Sequence, residues 1–224
     1  MVDAIKTSKI GPLGCGLILA VAISAMPAWA VDQAGEVITL TGQATAATTA
    51  GEIKPLNQGA PVSSGDTVVT NPNSWVRMKF TDGAFVILRP NTRFVIEDYK
   101  DTGNAATDRS IFNLVKGGFR AVTGLVGKRN PKNYAVRTAV ATIGIRGTDH
   151  EGRICDDDCN DVDPPPPNGL YTGTHEGETD VNGNPNGPGE YTYTDPDGNT
   201  EDITKGQADP LTDDPIPPAD PDDC

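Results

Sequence analysis

The sequence predicts an all-β fold built from short strands. Turn-forming residues are frequent, with 25 Gly and 19 Pro among 224 residues, and no helical segment stands out. Strand-like segments follow one another at intervals of about eight to twelve residues, a rhythm typical of several all-β folds. We therefore expect a short-stranded β-solenoid or β-helix-like domain, with a β-sandwich or jelly-roll-like fold as the alternative.

Residues 1–30 have the three parts of a secretory signal peptide. Lys6 and Lys9 give a basic start, an apolar run extends from Leu13 to Ala25, and Ala28-Trp29-Ala30 is a small-residue cleavage motif. The apolar run is too short to span a bilayer comfortably. We therefore expect cleavage after Ala30 and a periplasmic or secreted mature chain without a membrane span.

The mature chain divides into four predicted segments. Residues 35–154 form the main β domain, and residues 155–168 form an acidic, proline-rich insertion or hinge. Residues 169–208 can continue the β domain, whereas residues 209–224 read as a disordered acidic tail.

The segment Trp75–Phe80 predicts a strand most clearly. Every second residue from Val76 onward is apolar and the residues between are basic, so one face packs in the core and the other meets water. Asp82-Gly83 suits a hairpin turn, and Ala84–Leu88, apolar on both faces, is expected to be central. The other predicted strands are Glu36–Thr41, Ala44–Ala50, Ile53–Leu56, Val68–Thr70, Arg93–Tyr99, Ser110–Val115, Phe119–Val126, Tyr134–Arg137, Leu170–Thr174, Glu178–Val181, Tyr191–Thr194 and Thr200–Ile203. Gly117-Gly118 is predicted to be a turn.

The stretch Thr138–Asp149 predicts a closely packed strand and turn. Gly144 and Gly147 permit a bulge or a close backbone approach. We expect Arg146 to form an ion pair that fixes the turn, with Asp149 as the candidate partner, because a charged group beside a packed strand needs compensation.

Charge is distributed unevenly along the chain. Residues 31–150 contain 14 Lys and Arg against 10 Asp and Glu, whereas residues 151–224 contain 2 against 20. This acidic excess disfavours nucleic-acid binding and keeps the C-terminal region solvated. It could also recruit divalent cations or a basic partner.

Cleavage after Ala30 leaves three cysteines, Cys155, Cys159 and Cys224. In an oxidising compartment Cys155 and Cys159 could close a small acidic loop, with Cys224 free or paired with another chain. A metal site of these two cysteines with His150 has suitable atoms but not a familiar spacing.

Two acidic, glycine-containing loops are weak calcium candidates. Oxygen ligands occur at alternate positions in each loop, but the carboxylate expected at the twelfth position is missing, because Tyr191 and Gly206 stand there. Ordinary Asx and glycine turns are the alternative. The candidate ligands are Asp180, Asn182, Asn184, Asp195, Asp197 and Asn199.

Catalytic patterns are weak throughout. The sequence has no G-x-S-x-G motif, and its two histidines, His150 and His175, lack a recognisable nucleophile context. We expect a protein that is not an enzyme and has no cofactor. Trp75 and Tyr99 are aromatic residues that could anchor an interface or lie in the core.

Several short motifs, in order, resemble the FecR-like domain family. They are Gly65-Asp66 with Val68, Phe80-Thr81-Asp82-Gly83-Ala84, Pro90-Asn91-Thr92, Leu114-Val115-Lys116-Gly117-Gly118, Val136-Arg137-Thr138 and Gly144-Ile145-Arg146-Gly147-Thr148-Asp149. The resemblance implies an extracytoplasmic, solenoid-like β domain of bacterial envelope proteins. In founding members of this family the domain belongs to a membrane-anchored sigma-factor regulator and contacts an outer-membrane transporter.

This chain differs from those members, because we expect a cleavable signal in place of a cytoplasmic regulatory segment and a transmembrane helix. The expected function is a stand-alone protein-interaction module for another envelope or outer-membrane protein, active in envelope or cell-surface signalling. The alternative is a structural, surface-associated protein whose acidic C-terminal region binds cations or polysaccharide.

Overall fold

The computed structural model describes residues 33–212, and the described chain is all-β, as predicted. The predicted signal peptide at residues 1–30 and the larger part of the predicted tail, residues 213–224, lie outside the described residues. None of the described helices has the length and apolar character needed to cross a membrane.

Fifteen described strands join in one sheet. The strands are β1 Gln33–Thr41, β2 Ala44–Ala47, β3 Ile53–Pro55, β4 Pro61–Ser63, β5 Thr67–Thr70, β6 Trp75–Phe80, β7 Phe85–Leu88, β8 Arg93–Lys100, β9 Arg109–Val122, β10 Tyr134–Arg137, β11 Thr142–Cys155, β12 Gly169–Val181, β13 Asn184–Asn186, β14 Tyr191–Thr194 and β15 Thr200–Ile203. The helices are α1 Leu125–Arg129 and α2 Asp209–Thr212, with 3-10 turns at Pro131–Asn133 and Lys205–Ala208.

The sheet branches at the long strand β9. The first half of β9 pairs with β8 and β10, and the second half pairs with β7 and β11. One branch continues from β8 through β5 and β2 to β3, and another from β7 through β6 and β1 to β4. On the other side of β9 the sheet continues through β11, β12 and β14 to β15.

Strand β9 changes from one branch to the other at Gly117, whose φ is +80°. A Cβ atom at this position would lie 2.4 Å from Thr92 Oγ1 and 2.6 Å from Thr92 Cα, so glycine alone fits without displacement. The predicted turn at Gly117-Gly118 is therefore wrong, and Arg109–Val122 is one strand. A single positive φ bends a strand without reversing it.

The main core lies between the β6–β7 and β8–β9 parts of the sheet. The Phe80 ring on β6 is 5.3 Å from the Phe112 ring on β9 and 5.1 Å from the Tyr99 ring on β8, measured between centroids. The Phe94 and Phe119 rings are 6.0 Å apart. Because β6 and β8 are not hydrogen-bonded neighbours, these contacts show that the sheet folds over on itself.

A β-solenoid is not confirmed. Among the described strands, β9 and β10 form the one parallel pair, and the other pairs are antiparallel. A parallel β-helix stacks successive coils through parallel ladders. The folded-over open sheet is closer to the sandwich alternative.

The chain beyond Cys155 extends the same sheet. Strand β12 merges the predicted strands Leu170–Thr174 and Glu178–Val181, while residues 156–168 form no strand. The described chain extends four residues into the predicted tail and forms α2 there, in which Leu211 is only 2% exposed. Leu211 belongs to a second small core together with Cys155, Cys159, Tyr171, Tyr191 and Ala208.

Candidate interaction surface

One outward surface of the sheet combines cationic and large apolar side chains. It lies on β6, β7 and β9, where opposite residues form the rows Lys79–Phe85–Val122 and Arg77–Ile87–Arg120. Directly opposite residues of antiparallel strands share one face, and alternation along β6 adds Trp75 to that face. We define the basic-aromatic face as Trp75, Arg77, Lys79, Phe85, Ile87, Arg120 and Val122.

The Phe85 ring is the centre of this face. The Arg77 guanidinium carbon lies 4.7 Å from the ring centroid, and Lys79 Nζ lies 5.5 Å from it. Both distances are within cation–π range. Neighbouring Val122 remains 40% exposed although it is apolar. The face therefore offers positive charge and apolar surface side by side, which suits a ligand with carboxylates next to an apolar group.

A buried charge cluster lies beside this face. Arg89 Nη2 donates to Glu151 Oε2 at 2.8 Å, and the two side chains are 3% and 4% exposed. His175 Nε2 lies 2.8 Å from Glu151 Oε1. Arg89 also donates to the carbonyl oxygen of Leu211, so this cluster ties β7 and β11 to helix α2.

Asp149 forms an ion pair with a different partner from the one predicted. Arg120 Nε and Nη2 donate to its two carboxylate oxygens at 2.8 and 2.7 Å, and this hydrogen bonding is the main reason that the pKa of Arg120 is raised. Arg146 lies 3.7 Å from Glu178 instead, and its side chain is 75% exposed. The predicted Arg146–Asp149 pair is wrong, because the β11–β12 register shifts between these residues.

The predicted turn around Gly144 and Gly147 is a bulge within a longer strand. Strand β11 continues past Asp149 to Cys155, and Gly147 adopts a φ of +62°. Opposite it, a Cβ atom at Gly177 would approach Gly147 O to 2.3 Å. The close backbone approach thus falls at Gly147, whereas Gly144 has no neighbouring atom within 3.9 Å of an added Cβ.

The first loop of calcium candidates is held by its own hydrogen bonds. Asp180 Oδ1 accepts from the Gly183 amide at 2.8 Å, and Asn182 Oδ1 accepts from the Thr142 amide at 3.0 Å. Asn184 Nδ2 donates to a neighbouring carboxylate at 3.0 Å. These contacts describe an Asx turn at a hairpin tip.

The second loop of calcium candidates is also held by its own hydrogen bonds. Asp195 Oδ1 accepts from the amides of Asp197 and Asn199, both at 2.9 Å. Hydrogen bonds, first from the Asn199 side chain, hold the pKa of Asp195 below its usual value. Within residues 33–212 no group of three or more His, Cys, Asp or Glu is placed to hold a metal ion. Calcium binding stays a prediction.

The predicted cysteine and histidine candidates lie in different cores of the domain. A disulfide joins Cys155 and Cys159 in the second core, whereas Cys224 lies outside the described residues. His150 is fully buried in the main core, where its ring nitrogens lie 3.2 Å from Tyr134 Oη and 3.1 Å from Thr148 Oγ1. Burial lowers the pKa of His150 to about 4.

We expect the buried imidazole of His150 to make the protein less stable as the pH decreases from 7.5 to 5. The usual histidine pKa is 6.5 and the folded value is about 4, so between these values the unfolded chain binds a proton that the folded chain does not. This difference in proton binding should lower the free energy of unfolding by about 2 kcal/mol at pH 5 relative to pH 7.5. Urea unfolding of the protein and of His150→Gln at both pH values measures it. Equal pH dependence in the two proteins would contradict the assignment.

Two cavities in the described part of the chain lie away from the charge cluster. One, of about 300 Å³, is lined by the proline run 164–167 with Tyr171 and Tyr193. Another, of about 430 Å³, lies around β3 and the Thr48–Glu52 turn. Neither is lined by Glu151 or His175, so the carboxylate–imidazole pair does not open into these cavities.

These features define an all-β domain with one mixed basic and apolar outer face. Residues 66–160 match the family model described as FecR protein. This match confirms, over residues 66–160, the resemblance seen in the sequence. No curated protein matches the chain.

Solved structures give weaker similarities. A 1.65 Å crystal structure of a protein described provisionally as an anti-sigma factor, from Parabacteroides distasonis, has a TM-score of 0.46 and 13% identity, with 62% of this chain and 59% of that chain covered. A 2.50 Å structure with the same description has a TM-score of 0.45, 13% identity and the same coverage, 62% and 59%. A "cell surface anchoring domain" has a TM-score of 0.27 and 27% identity, with 28% of this chain and 82% of that chain covered.

Proposed function

We propose that this protein is a non-enzymatic, extracytoplasmic protein-interaction module that acts in envelope or cell-surface signalling. The match of residues 66–160 to the FecR family model supports the signalling role, and the signal-peptide pattern at residues 1–30 supports the location. The proposed partner is another envelope or outer-membrane protein.

The basic-aromatic face is the proposed binding surface. The observation that carries this assignment is the Phe85 ring, which lies beneath Arg77 and Lys79 on the outward side of the sheet. Aromatic and arginine residues dominate the energetics of protein interfaces. A partner segment with carboxylates next to an apolar side chain would pair with the cations and cover the ring.

The geometry of Glu151 supports a structural role over a catalytic one. A carboxylate beside an imidazole can serve acid–base chemistry, and Glu151 contacts His175 in this way. However, Glu151 is 4% exposed and is also bonded to Arg89. The pair therefore has the surroundings of a buried ion cluster that fixes α2 to the sheet.

Photo-crosslinking in the native envelope tests the binding surface. A benzoylphenylalanine residue at Phe85 should capture a discrete partner, while the same residue at Ile53, which is 70% exposed on the edge strand β3, should not. Arg77→Glu with Lys79→Glu should reduce capture at least tenfold, which corresponds to about 1.4 kcal/mol. Identical products from both positions would contradict the proposal.

A further inference from the structure

We propose that the cavity lined by the proline run 164–167 binds an arginine side chain of a partner polypeptide. Its volume is about 300 Å³, which is at the lower end of ligand-binding pockets and suits one long side chain better than a larger ligand. The residues of the basic-aromatic face are not among those that line it. The cavity is thus a second site, and its occupancy does not rest on the proposed function.

Two aromatic rings and a carboxylate lie in one row along the cavity. Tyr171 on β12 is opposite Tyr193 on β14, and Tyr193 is opposite Glu201 on β15. Directly opposite residues of antiparallel strands share one face, and all three residues line the cavity. The two ring centroids are 5.0 Å apart, so a flat cation that contacts one ring also lies near the other.

The two tyrosine rings are held in place by their hydroxyl groups. Tyr171 Oη donates to Pro167 O at 3.0 Å, and Tyr193 Oη donates to Asn168 O at 2.6 Å. Both hydroxyl donors are therefore already used within the protein. The rings present preorganised aromatic surface to the cavity, which lowers the entropic cost of binding a ligand there.

The wall of the cavity is negatively charged and rich in hydrogen-bond acceptors. Asp163 and Glu201 are among the described residues that line it, whereas no described lysine or arginine is. None of the ion pairs within residues 33–212 includes either carboxylate. Burial, and then the charges of Asp195 and Glu201, raise the pKa of Tyr193. Because proline has no amide donor, the run 164–167 offers backbone acceptors only.

The charge of the surrounding region also attracts a basic partner. Residues 151–212 contain 2 Lys and Arg against 15 Asp and Glu, and such an excess steers ligands of opposite charge. A guanidinium group suits the cavity itself, because it has five N–H donors and no acceptor. It also stacks on aromatic rings and pairs with carboxylates.

The absence of a cation among the described lining residues favours a polypeptide over free arginine. A free amino acid would bring an α-carboxylate, which would find no lysine or arginine in the described wall of the cavity and would be repelled by Asp163 and Glu201. An arginine within a polypeptide chain has no such carboxylate beside it. The ligand is therefore an arginine side chain presented by a partner chain.

Peptide titration followed by NMR tests the site. The probe is acetyl-Gly-Arg-Gly-amide, and in the matched control citrulline replaces the arginine, which keeps the shape and removes the charge. With the arginine peptide we expect saturable shifts of the amide signals of Tyr193, Glu201 and Gly206. We also expect nuclear Overhauser contacts between the arginine side chain and the Tyr193 ring. The arginine peptide should bind about tenfold more tightly than the citrulline peptide, because only the guanidinium makes charge-assisted hydrogen bonds.

Two variants of neighbouring carboxylates separate the site from general acidity. Glu201→Gln should weaken binding about fivefold, because it removes a charge from the cavity. Asp202→Asn should leave binding unchanged, because alternation along β15 places Asp202 on the opposite face. Both residues are exposed, so neither replacement disturbs a core.

Several outcomes would overturn the proposal. They are the absence of saturable shifts, shifts confined to Phe85 and its neighbours, equal binding of the arginine and citrulline peptides, and equal loss in Glu201→Gln and Asp202→Asn. A lysine peptide that binds as tightly as the arginine peptide would overturn the choice of a guanidinium group. Tighter binding of free arginine than of the peptide would overturn the assignment to a partner polypeptide.

Discussion

Replacing Glu151 with alanine should lower the free energy of unfolding by about 3 to 5 kcal/mol, because the change removes a buried carboxylate from beside the Arg89 guanidinium. The two side chains are 4% and 3% exposed, so water cannot easily take the place of the carboxylate. The change also removes the group that contacts His175 Nε2. Urea unfolding followed by circular dichroism measures the loss.

An exposed ion pair provides the matched control. Arg137 and Glu97 are 2.6 Å apart with side chains 49% and 38% exposed, and Glu97→Ala should cost no more than about 1 kcal/mol. Arg89→Met combined with Glu151→Met should recover much of the stability, because an apolar pair has no buried charge to compensate. An equal loss of unfolding free energy in Glu151→Ala and Glu97→Ala would show that burial of the Arg89–Glu151 pair does not add to the cost.

Replacing Gly117 with alanine should cost about 2 to 4 kcal/mol, because a left-handed φ and a steric clash act together. The φ of +80° disfavours any residue with a Cβ atom. In addition, the new Cβ would meet the Thr92 backbone at 2.6 Å. Thermal and urea unfolding of the variant measure the combined effect.

Gly103 separates these two causes. Its φ is +81°, almost the same as that of Gly117, but an added Cβ would meet nothing within 4 Å. Gly103→Ala should therefore cost only about 1 kcal/mol, the backbone term alone. If both variants lose the same stability, the crowding at Thr92 does not matter.

Local patterns in the sequence predicted the strands around the candidate surface well. Alternation in Trp75–Phe80 placed its basic residues outward, and the apolar character of Ala84–Leu88 indicated a central strand, which β7 is, between β6 and β9. Alternation along one strand does not predict which residue of the neighbouring strand lies opposite. Val122 lies opposite Phe85 because of the β7–β9 register, and that register depends on residues far away in sequence.

The buried charges show the same limit. Arg89 and Glu151 are separated by 62 positions, and nothing near either residue in the sequence identifies the other. Arg146 is three residues from Asp149 in the sequence and was therefore predicted as its partner. A bulge at Gly147 separates the two residues, and Arg120 on β9 forms the ion pair with Asp149 instead. Asp82 was similarly predicted as a turn residue, yet its buried carboxylate also accepts from the Val126 amide at the start of α1.

The long strand β9 has a consequence for how the protein folds. Its first half pairs with β8 and its second half with β7, and β11 pairs with the second half and continues the sheet to β12. Both branches are anchored on this one strand and share one hydrophobic core, so the domain should open as one cooperative unit. A fragment of residues 66–160 alone, the part that matches the family model, would lack β1, the neighbour of β6, and β12, the neighbour of β11. The matched region is therefore not by itself one unit of folding.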